Sequence, residues 1–388
     1  MFSSIIQAQK FLQDLDQNRD DHYTTERIKE FLDYLDNPQN KFKSIHVAGT
    51  SGKGSTCVMI AKILEEAGYK TGLTTSPYLI SPLEKIIINS RQISETNFIK
   101  LLNQYKKLLI KFKLTYFESY IALTFIYFAD KKIDWAVVET GLGGRFDATN
   151  VLNSNIAIIT TIDLDHTDLL GKTRKQIARE KQAIIKPGSI AITGSKLIKN
   201  AKYINLNNTK KVDKIKLGLK GEFQKKNALL ALTASKILKI PNKHIINGLK
   251  KAKHEGRFEI ISKKPFIIMD GAHSPEKMKA FTDSLKLLVL NKNKFNKKYL
   301  LLSIKEDKDY KKIINYITPL VDEITLTSFS KSYKLDILKK YINQKFPHKT
   351  LIKIKDSKKA YTKIEQQLNN NDLLIITGSL YMIGDLKK

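Results

Sequence analysis

Residues 41–56 read KFKSIHVAGTSGKGST, and this stretch restricts the fold more than any other part of the chain. An apolar run of strand length leads into a turn bearing three glycines and a lysine, and a helical pattern, STCVMIAKILEEAG, starts at that turn. Strand, glycine turn and helix in this order form a phosphate-binding loop: backbone N–H groups at the helix start face an anion, and glycine lets the backbone come close to it. The spelling departs from G-x-x-x-x-G-K-[ST] at two places. Val47 stands where the first glycine belongs, and Gly54 stands where a magnesium-binding hydroxyl usually follows the lysine. The hydroxyl must therefore come from another residue.

A phosphate loop of this kind needs a parallel sheet, and the rest of the chain supplies one. SIHVAG, IDWAVVET, NIAIITTID and SIAITG read as buried strands, separated by the helical patterns NFIKLLNQYKKLLIKF, ESYIALTFIYFADK and TRKQIAREKQAIIK. This alternation predicts an α/β architecture with helices covering a parallel sheet. After the amphipathic segment GEFQKKNALLALTASKIL and the lysine-rich GLKKAKHEGRFE, a second series begins: PFIIMDGA, PEKMKAFTDSLKLL, KYLLLSI, DEITLTSF and DLLIITGS. A length of 388 residues also asks for two domains. The expected division is a phosphate-loop, parallel-sheet domain over residues 1–254 and a smaller Rossmann-like α/β domain over residues 255–388.

Composition narrows the class. With 42% hydrophobic and 27% charged residues the chain is globular rather than disordered. The single cysteine, Cys57, excludes a disulfide framework and predicts a small buried residue in a reducing compartment. The N-terminus MFSSIIQAQKFLQDLDQ reads as an amphipathic helix rather than a signal peptide, and the apolar run YIALTFIYFA is too short to span a bilayer. A cytoplasmic, monomeric protein without membrane association is expected. The net charge of +30 comes almost entirely from lysine, with only seven arginines, and the lysines are scattered without a basic block. That pattern favours a solvated surface over a specific nucleic-acid site.

Several segments place reactive side chains just past a strand, where ligands of open α/β sheets bind. Ser51, Gly52, Lys53, Gly54 and Ser55 form the phosphate loop, with Lys53 as the point charge for the β- and γ-phosphates. Glu139 ends IDWAVVE and is a candidate Mg²⁺ ligand. TGLGGRFDATN follows, a glycine-rich loop carrying Arg145 and Asp147, and TTIDLDHTDLLG sets His166 among Asp163, Asp165 and Asp168 as a second candidate ligand. In the second series, Asp270 and His273 of DGAHSP lie past the first strand, and Arg257 lies in the connection before it.

Taken in order, NPQNKFKSIHVAGTSGKGST, TTSPYL, ETGLGGRFDATN, DLDHTDLLG, AREKQAIIKPG, GEFQKKNA, GRFE, DGAHSP, EDKD and TGSLYMIGDLK resemble the folylpolyglutamate synthase/dihydrofolate synthase family of the Mur-ligase-like superfamily, across nearly the whole chain. The resemblance implies an ATP-dependent amide ligase. ATP would phosphorylate the carboxylate of a pteroate or folate, and the amine of L-glutamate would displace the phosphate, so no protein nucleophile is needed. It implies that Ser51 to Ser55 with Lys53 hold the triphosphate, and that Asn227, Arg257 and Asp270, with His273 beside them, contact the nucleotide. Ser76 and Glu139 would hold a first Mg²⁺ and His166 a second, with Ser55 the next candidate for the missing hydroxyl. Lys181 matches a lysine that is carbamylated in the family, which makes Lys53, Lys181 and His166 the catalytic candidates. Asp147 matches a position associated with the pterin, and Tyr78 and Arg145 are further substrate-binding candidates. Departures fall at Tyr78 and Lys85, where the family carries histidine and arginine, and at Ser274 and Ser303. Two alternatives remain at this point: a Mur-type ligase acting on another carboxylate, and a basic nucleic-acid-binding ATPase.

Overall fold

The computed structural model describes residues 1–18, 24–290 and 295–388. The described chain forms two compact units, one of residues 1–218 with 226–252, the other of residues 219–225 with 253–388. No described helix is long and apolar enough to cross a membrane.

The first unit is built on eight strands: β1 (Lys43–Ala48), β2 (Thr71–Thr74), β3 (Ile87–Ile88), β4 (Arg91–Gln92), β5 (Trp135–Glu139), β6 (Ile156–Ile159), β7 (Ile190–Thr193) and β8 (Lys202–Tyr203). Their spatial order is β4-β3-β2-β5-β1-β6-β7-β8. Of these strands only β3 runs against the others, antiparallel to β2 on one side and to β4 on the other. The central strands are buried along nearly their whole length, which is why they read as unbroken apolar runs rather than alternating ones.

Register decides what these strands place together. Val47 pairs with Glu139, Ala48 with Ile159 and Thr74 with Val138. The carboxyl ends of β2, β5, β1 and β6 are thus level, and the loops after them, TTSPYL, TGLGGR, GTSGKG and TTID, emerge at one edge of the sheet.

Four helices, Ile5–Asp14, Glu26–Tyr34, Glu95–Lys111 and Tyr116–Asp130, share one apolar core with β5, including Phe31, Phe98, Tyr120, Phe125 and Phe128. Phe98 stacks on Tyr120 with ring centroids 5.4 Å apart. The sequence expectation for Cys57 holds: it is fully buried in the helix Lys53–Glu66, and burial pushes its thiol pKa up. Capping boxes start two helices that carry site residues, Thr115 with Glu118 and Thr173 with Gln176.

The second unit carries β9 (Glu259–Lys263), β10 (Phe266–Asp270), β11 (Lys298–Leu302), β12 (Glu323–Leu326), β13 (Thr350–Lys353) and β14 (Leu373–Thr377), ordered β13-β12-β11-β14-β10-β9. All neighbours are parallel except β9 against β10. Asp270 and Leu302 both pair with Thr377, so DGAHS, SIKEDKD and TGSLY leave the sheet at one level.

Candidate active site

The phosphate loop is held from β6. Thr160 Oγ1 donates to the Ser51 carbonyl at 2.6 Å, and the Ser51 N–H donates to Thr161 Oγ1 at 3.1 Å. Thr50 Oγ1 accepts from the Asp163 N–H at 3.0 Å and donates to the Asp163 carbonyl at 3.1 Å. Both bonds of that hydroxyl go to the backbone of Asp163, which ties the loop to the segment after β6. Gly52 caps the helix Lys53–Glu66 at φ +86°, a left-handed conformation in which a side chain is strained. A Cβ there would also come within 2.2 Å of Asn227 Oδ1, which places Asn227 against the loop.

Glu139 joins this loop to TTSPYL. Lys53 Nζ lies 3.9 Å from Glu139 Oε1, and the Ser76 N–H donates to Glu139 Oε2 at 2.9 Å. Three expected site residues from three separate segments are thereby gathered around one buried carboxylate. Ser55, the other hydroxyl considered, is buried in the first turn of the helix.

His166 lies in the segment after β6. It occupies a turn at φ +49°, with nearly half of its side chain exposed and Nε2 3.7 Å from Asp165 Oδ1. The link from this turn to the phosphate loop runs through Asp163 and Thr50. Asp163 is also held by Arg174, whose Nη2 donates to Oδ1 at 2.8 Å.

Lys181 is buried in the helix Arg174–Gln182. TGLGGR packs directly on this helix: the Arg145 N–H donates to the Glu180 carbonyl at 2.9 Å, and Arg145 Nε lies 3.2 Å from Glu180 Oε1. Gly144 permits the approach, since a Cβ there would sit 2.7 Å from the Glu180 carbonyl oxygen and 3.0 Å from Lys181 Cα. Arg145 therefore engages Glu180 and faces solvent on one side.

Asp147 is buried at the head of the short turn Ala148–Val151. Its Oδ2 accepts from the Leu142 N–H at 2.7 Å, and its Oδ1 accepts from the Thr149 N–H at 3.0 Å and from the Thr149 hydroxyl. Burial raises the Asp147 pKa, opposed by these hydrogen bonds. Behind Thr149 stands His46 of β1, with Nε2 2.7 Å from Thr149 Oγ1. Burial, aided by the charge of Lys186, lowers the His46 pKa to about 3, so the ring is neutral. Thr149 gives its proton to the carboxylate, so His46 must donate from Nε2, leaving a bare Nδ1 that has no partner. A one-way chain of donors thus runs from the sheet core to Asp147.

Asp147 lines a cavity of about 360 Å³. Phe117, Leu142, Phe146, Leu169 and Leu170 give it apolar walls, and the polar groups include Arg27 with Glu118, 3.4 Å apart, and Asp16. Phe146 and Leu169 are half exposed at its rim, unusual for side chains this apolar. Polar groups converging between apolar walls describe a site for a small molecule with both apolar surface and hydrogen-bonding groups. Sequence reading missed the walls contributed by Arg27, Thr115, Tyr116, Phe117 and Glu118. The signal available was the capping box T-Y-F-E, which places Phe117 and Glu118 at a helix start.

Tyr78 belongs to an aromatic group around Lys85, whose Nζ lies 5.6 Å from its ring centroid. Glu84 shapes this loop by accepting from the N–H groups of Leu79, Ile80 and Ser81.

In the second unit, Asp270 accepts from the Phe258 N–H at 2.7 Å and from the Ala272 N–H at 2.8 Å, which ties GRFE to DGAHSP. Burial lifts its pKa to about 6 against the opposing charge of Arg257. His273 donates from Nδ1 to the Gly271 carbonyl at 2.7 Å, so its Nε2 accepts from Lys277 Nζ at 3.0 Å. Ser274 stands before the helix Pro275–Leu290 with its Oγ accepting from the Lys277 N–H at 3.4 Å, the bond of an N-cap.

Residues 47–200 match the Mur ligase middle domain and residues 256–380 the Mur ligase, glutamate ligase domain. The dihydrofolate synthase/folylpolyglutamate synthase of Bacillus subtilis is 31% identical over 93% of this chain and 94% of its own. That of Buchnera aphidicola from Acyrthosiphon pisum is 32% identical over 97% and 96%. The structure of the bifunctional folylpolyglutamate synthase/dihydrofolate synthase of Yersinia pestis, complexed with AMPPNP and Mn ion, superposes with a TM-score of 0.87 at 26% identity, covering 98% of this chain and 97% of that one. With relatives at 31% and 32% identity covering more than nine-tenths of its length, the chain belongs to the dihydrofolate synthase/folylpolyglutamate synthase family, built from Mur ligase domains.

Proposed function

We propose that the chain is an ATP-dependent amide ligase that joins L-glutamate to dihydropteroate, to a reduced folate, or to both. The observation that carries the reading is the pairing, within one unit, of an anchored phosphate loop with an apolar cavity edged by Asp147. The phosphate-loop N–H groups and Lys53 bind the triphosphate and stabilise charge on the moving phosphoryl group. The acceptor carboxylate takes the γ-phosphoryl group and ADP leaves. The glutamate amine then attacks the acyl carbon, the C–O bond to phosphate breaks, and an amide, phosphate and a proton result. Both steps depend on positioning, which anchored loops supply.

Among the described residues no three His, Cys, Asp or Glu side chains converge on one point. Glu139 stands beside the phosphate loop, with the Ser76 N–H on its Oε2 and Lys53 near its Oε1, and its carboxylate suits Mg²⁺, which is usually held by one or two carboxylates plus substrate phosphates. Bound there, Mg²⁺ would neutralise charge on the phosphates. We assign Ser76 and Glu139 to that ion and His166, on its exposed turn, to a second. Asn227 contributes to the nucleotide contacts in the first unit, and Arg257, Asp270 and His273 in the second. Asp147, Tyr78 and Arg145 belong to acceptor recognition, and the working protein is a monomer in the cytoplasm with small-molecule partners.

Lys181 is assigned as a carbamate. Its ammonium first gives up a proton, and the neutral amine then adds to CO₂ and loses a second, which turns a buried cation into an anion able to support the metal and the acyl transfer. The expected result is that Lys181→Ala lowers kcat by at least about a hundredfold and regains part of it with short carboxylates. Behaviour like that of an ordinary surface lysine would remove the carbamate from the scheme.

The deciding measurement is phosphate release with ATP and Mg²⁺, using dihydropteroate and then tetrahydrofolate, each with and without L-glutamate. Turnover that requires both acceptor and glutamate is expected. Absence of glutamate-dependent turnover with either acceptor would sink the assignment.

A further inference from the structure

Lys85 is a buried lysine, 6% exposed, on the short turn Pro82–Lys85. Its Nζ faces four aromatic rings: Tyr120 at 4.5 Å, Tyr116 at 4.6 Å, Tyr78 at 5.6 Å and Phe117 at 5.7 Å from the centroids. A single such contact is ordinary on a protein surface, but four on one desolvated ammonium form a cage. Among the described residues no carboxylate pairs with this amine, and the acidic group that acts on it is Asp16, through space. Two of the four rings, Tyr116 and Phe117, are walls of the 360 Å³ cavity.

We propose that Lys85 is a positioning residue for acceptor recognition: its ammonium clamps the rings of Tyr116 and Phe117 in the orientation that the cavity offers to its ligand. This rests on the reading of the cavity as the acceptor site. The attraction comes from the positive charge acting on the ring faces, so it needs a protonated amine rather than a bulky apolar side chain. An arginine, as the family carries here, keeps that charge at every accessible pH. A lysine does not. Burial lowers the Lys85 pKa to about 8, partly offset by Asp16, so the clamp weakens as pH rises through that value. The other titratable groups around the amine are the phenols of Tyr78, Tyr116 and Tyr120. Burial pushes Tyr116 and Tyr120 far above the usual tyrosine range, so both stay neutral where Lys85 titrates.

The test compares the full-length protein with Lys85→Arg and Lys85→Met between pH 6.5 and 9.5. Below pH 7.5, Lys85→Met is expected to raise the acceptor KM about tenfold, with kcat and the ATP KM within about twofold of the wild type. Wild type should lose acceptor affinity above pH 8, while Lys85→Arg should bind well and show no such rise. Aromatic ring-flip rates by ¹³C NMR, without acceptor, read the clamp itself and should be about tenfold faster in Lys85→Met. Unchanged flip rates overturn the proposal. Faster flips with an unaltered acceptor KM, or an equal rise in the ATP KM, also overturn it. Faster flips in a protein whose wild type turns over no acceptor count against the reading of the cavity alone.

Discussion

Thr149 has one hydroxyl with two fixed duties: it accepts from His46 and donates to Asp147. Valine has the same shape and neither capacity. Thr149→Val should therefore leave a buried imidazole N–H and one carboxylate oxygen short of a partner, costing about 1–3 kcal/mol of stability. It should also raise the Asp147 pKa further, because a hydrogen bond that favours the charged form is lost. Acceptor KM is expected to rise about tenfold, the kinetic equivalent of one such bond, while Thr149→Ser stays close to wild type. Steady-state kinetics with urea unfolding of both variants checks this, and equal KM values for Val and Ser would set the donor chain aside. This chain was not legible in the sequence. His46 reads as one polar residue inside an apolar strand, and its link to Thr149 spans 103 positions. Glu139 was legible, because a carboxylate closing an unbroken apolar run has one place to go in a parallel sheet. Lys85 was visible as a departure from the family, but the rings around it come from residues more than thirty positions away as well as from Tyr78 nearby.

At the scale of elements, the strands with apolar runs were readable, from the four residues of β6, β7 and β12 to the six of β1, while β2, β3, β4, β8, β9 and β13 were not. TGLT has four residues, one of them glycine, and is buried only through its neighbours, so no local pattern announces it. That short strand nonetheless delivers Ser76 to Glu139. The phosphate loop shows the reverse case, in which local chemistry says nearly everything. Gly52 has a left-handed backbone and a neighbouring amide where a Cβ would lie. Gly52→Ala is expected to destabilise the first unit by about 1–2 kcal/mol and to raise the ATP KM. Adding Asn227→Ala should relieve only the steric part, since the left-handed cost stays in the backbone. Trp135, the only tryptophan, lies in β5 of the same unit and reports its unfolding by fluorescence. Full recovery of stability in the double variant would mean that side-chain contact, not backbone conformation, makes the glycine necessary.

Over the whole molecule, buried histidines are distributed unevenly between the units. The second unit holds His254, lowered by burial to about 3, and His273, lowered well below the usual histidine range by burial beside Lys277. Both take up protons near pH 6.5 once unfolded but stay neutral when folded, so stability falls as pH drops below 6.5. Asp270, raised to about 6, works the other way between pH 6 and its ordinary value of 3.8, because there the folded state holds the extra proton. The balance is close to one net proton in favour of unfolding across that interval, about 1.4 kcal/mol per pH unit. Asp307 and Asp309 add to the loss at lower pH, because their lysine partners hold both carboxyls below the usual range. Among the described residues of the first unit, His46 pulls toward unfolding, and Asp147, raised by burial, opposes it. Acidification should therefore unfold the second unit first. Far-UV circular dichroism should lose part of its amplitude while Trp135 emission holds its native position, and a second step at lower pH should shift both. Coincident transitions would show either that the units unfold as one or that the proton balance is the same in each. The variant His254→Asn separates these outcomes: it removes one titrating group, and should move only the first step to lower pH.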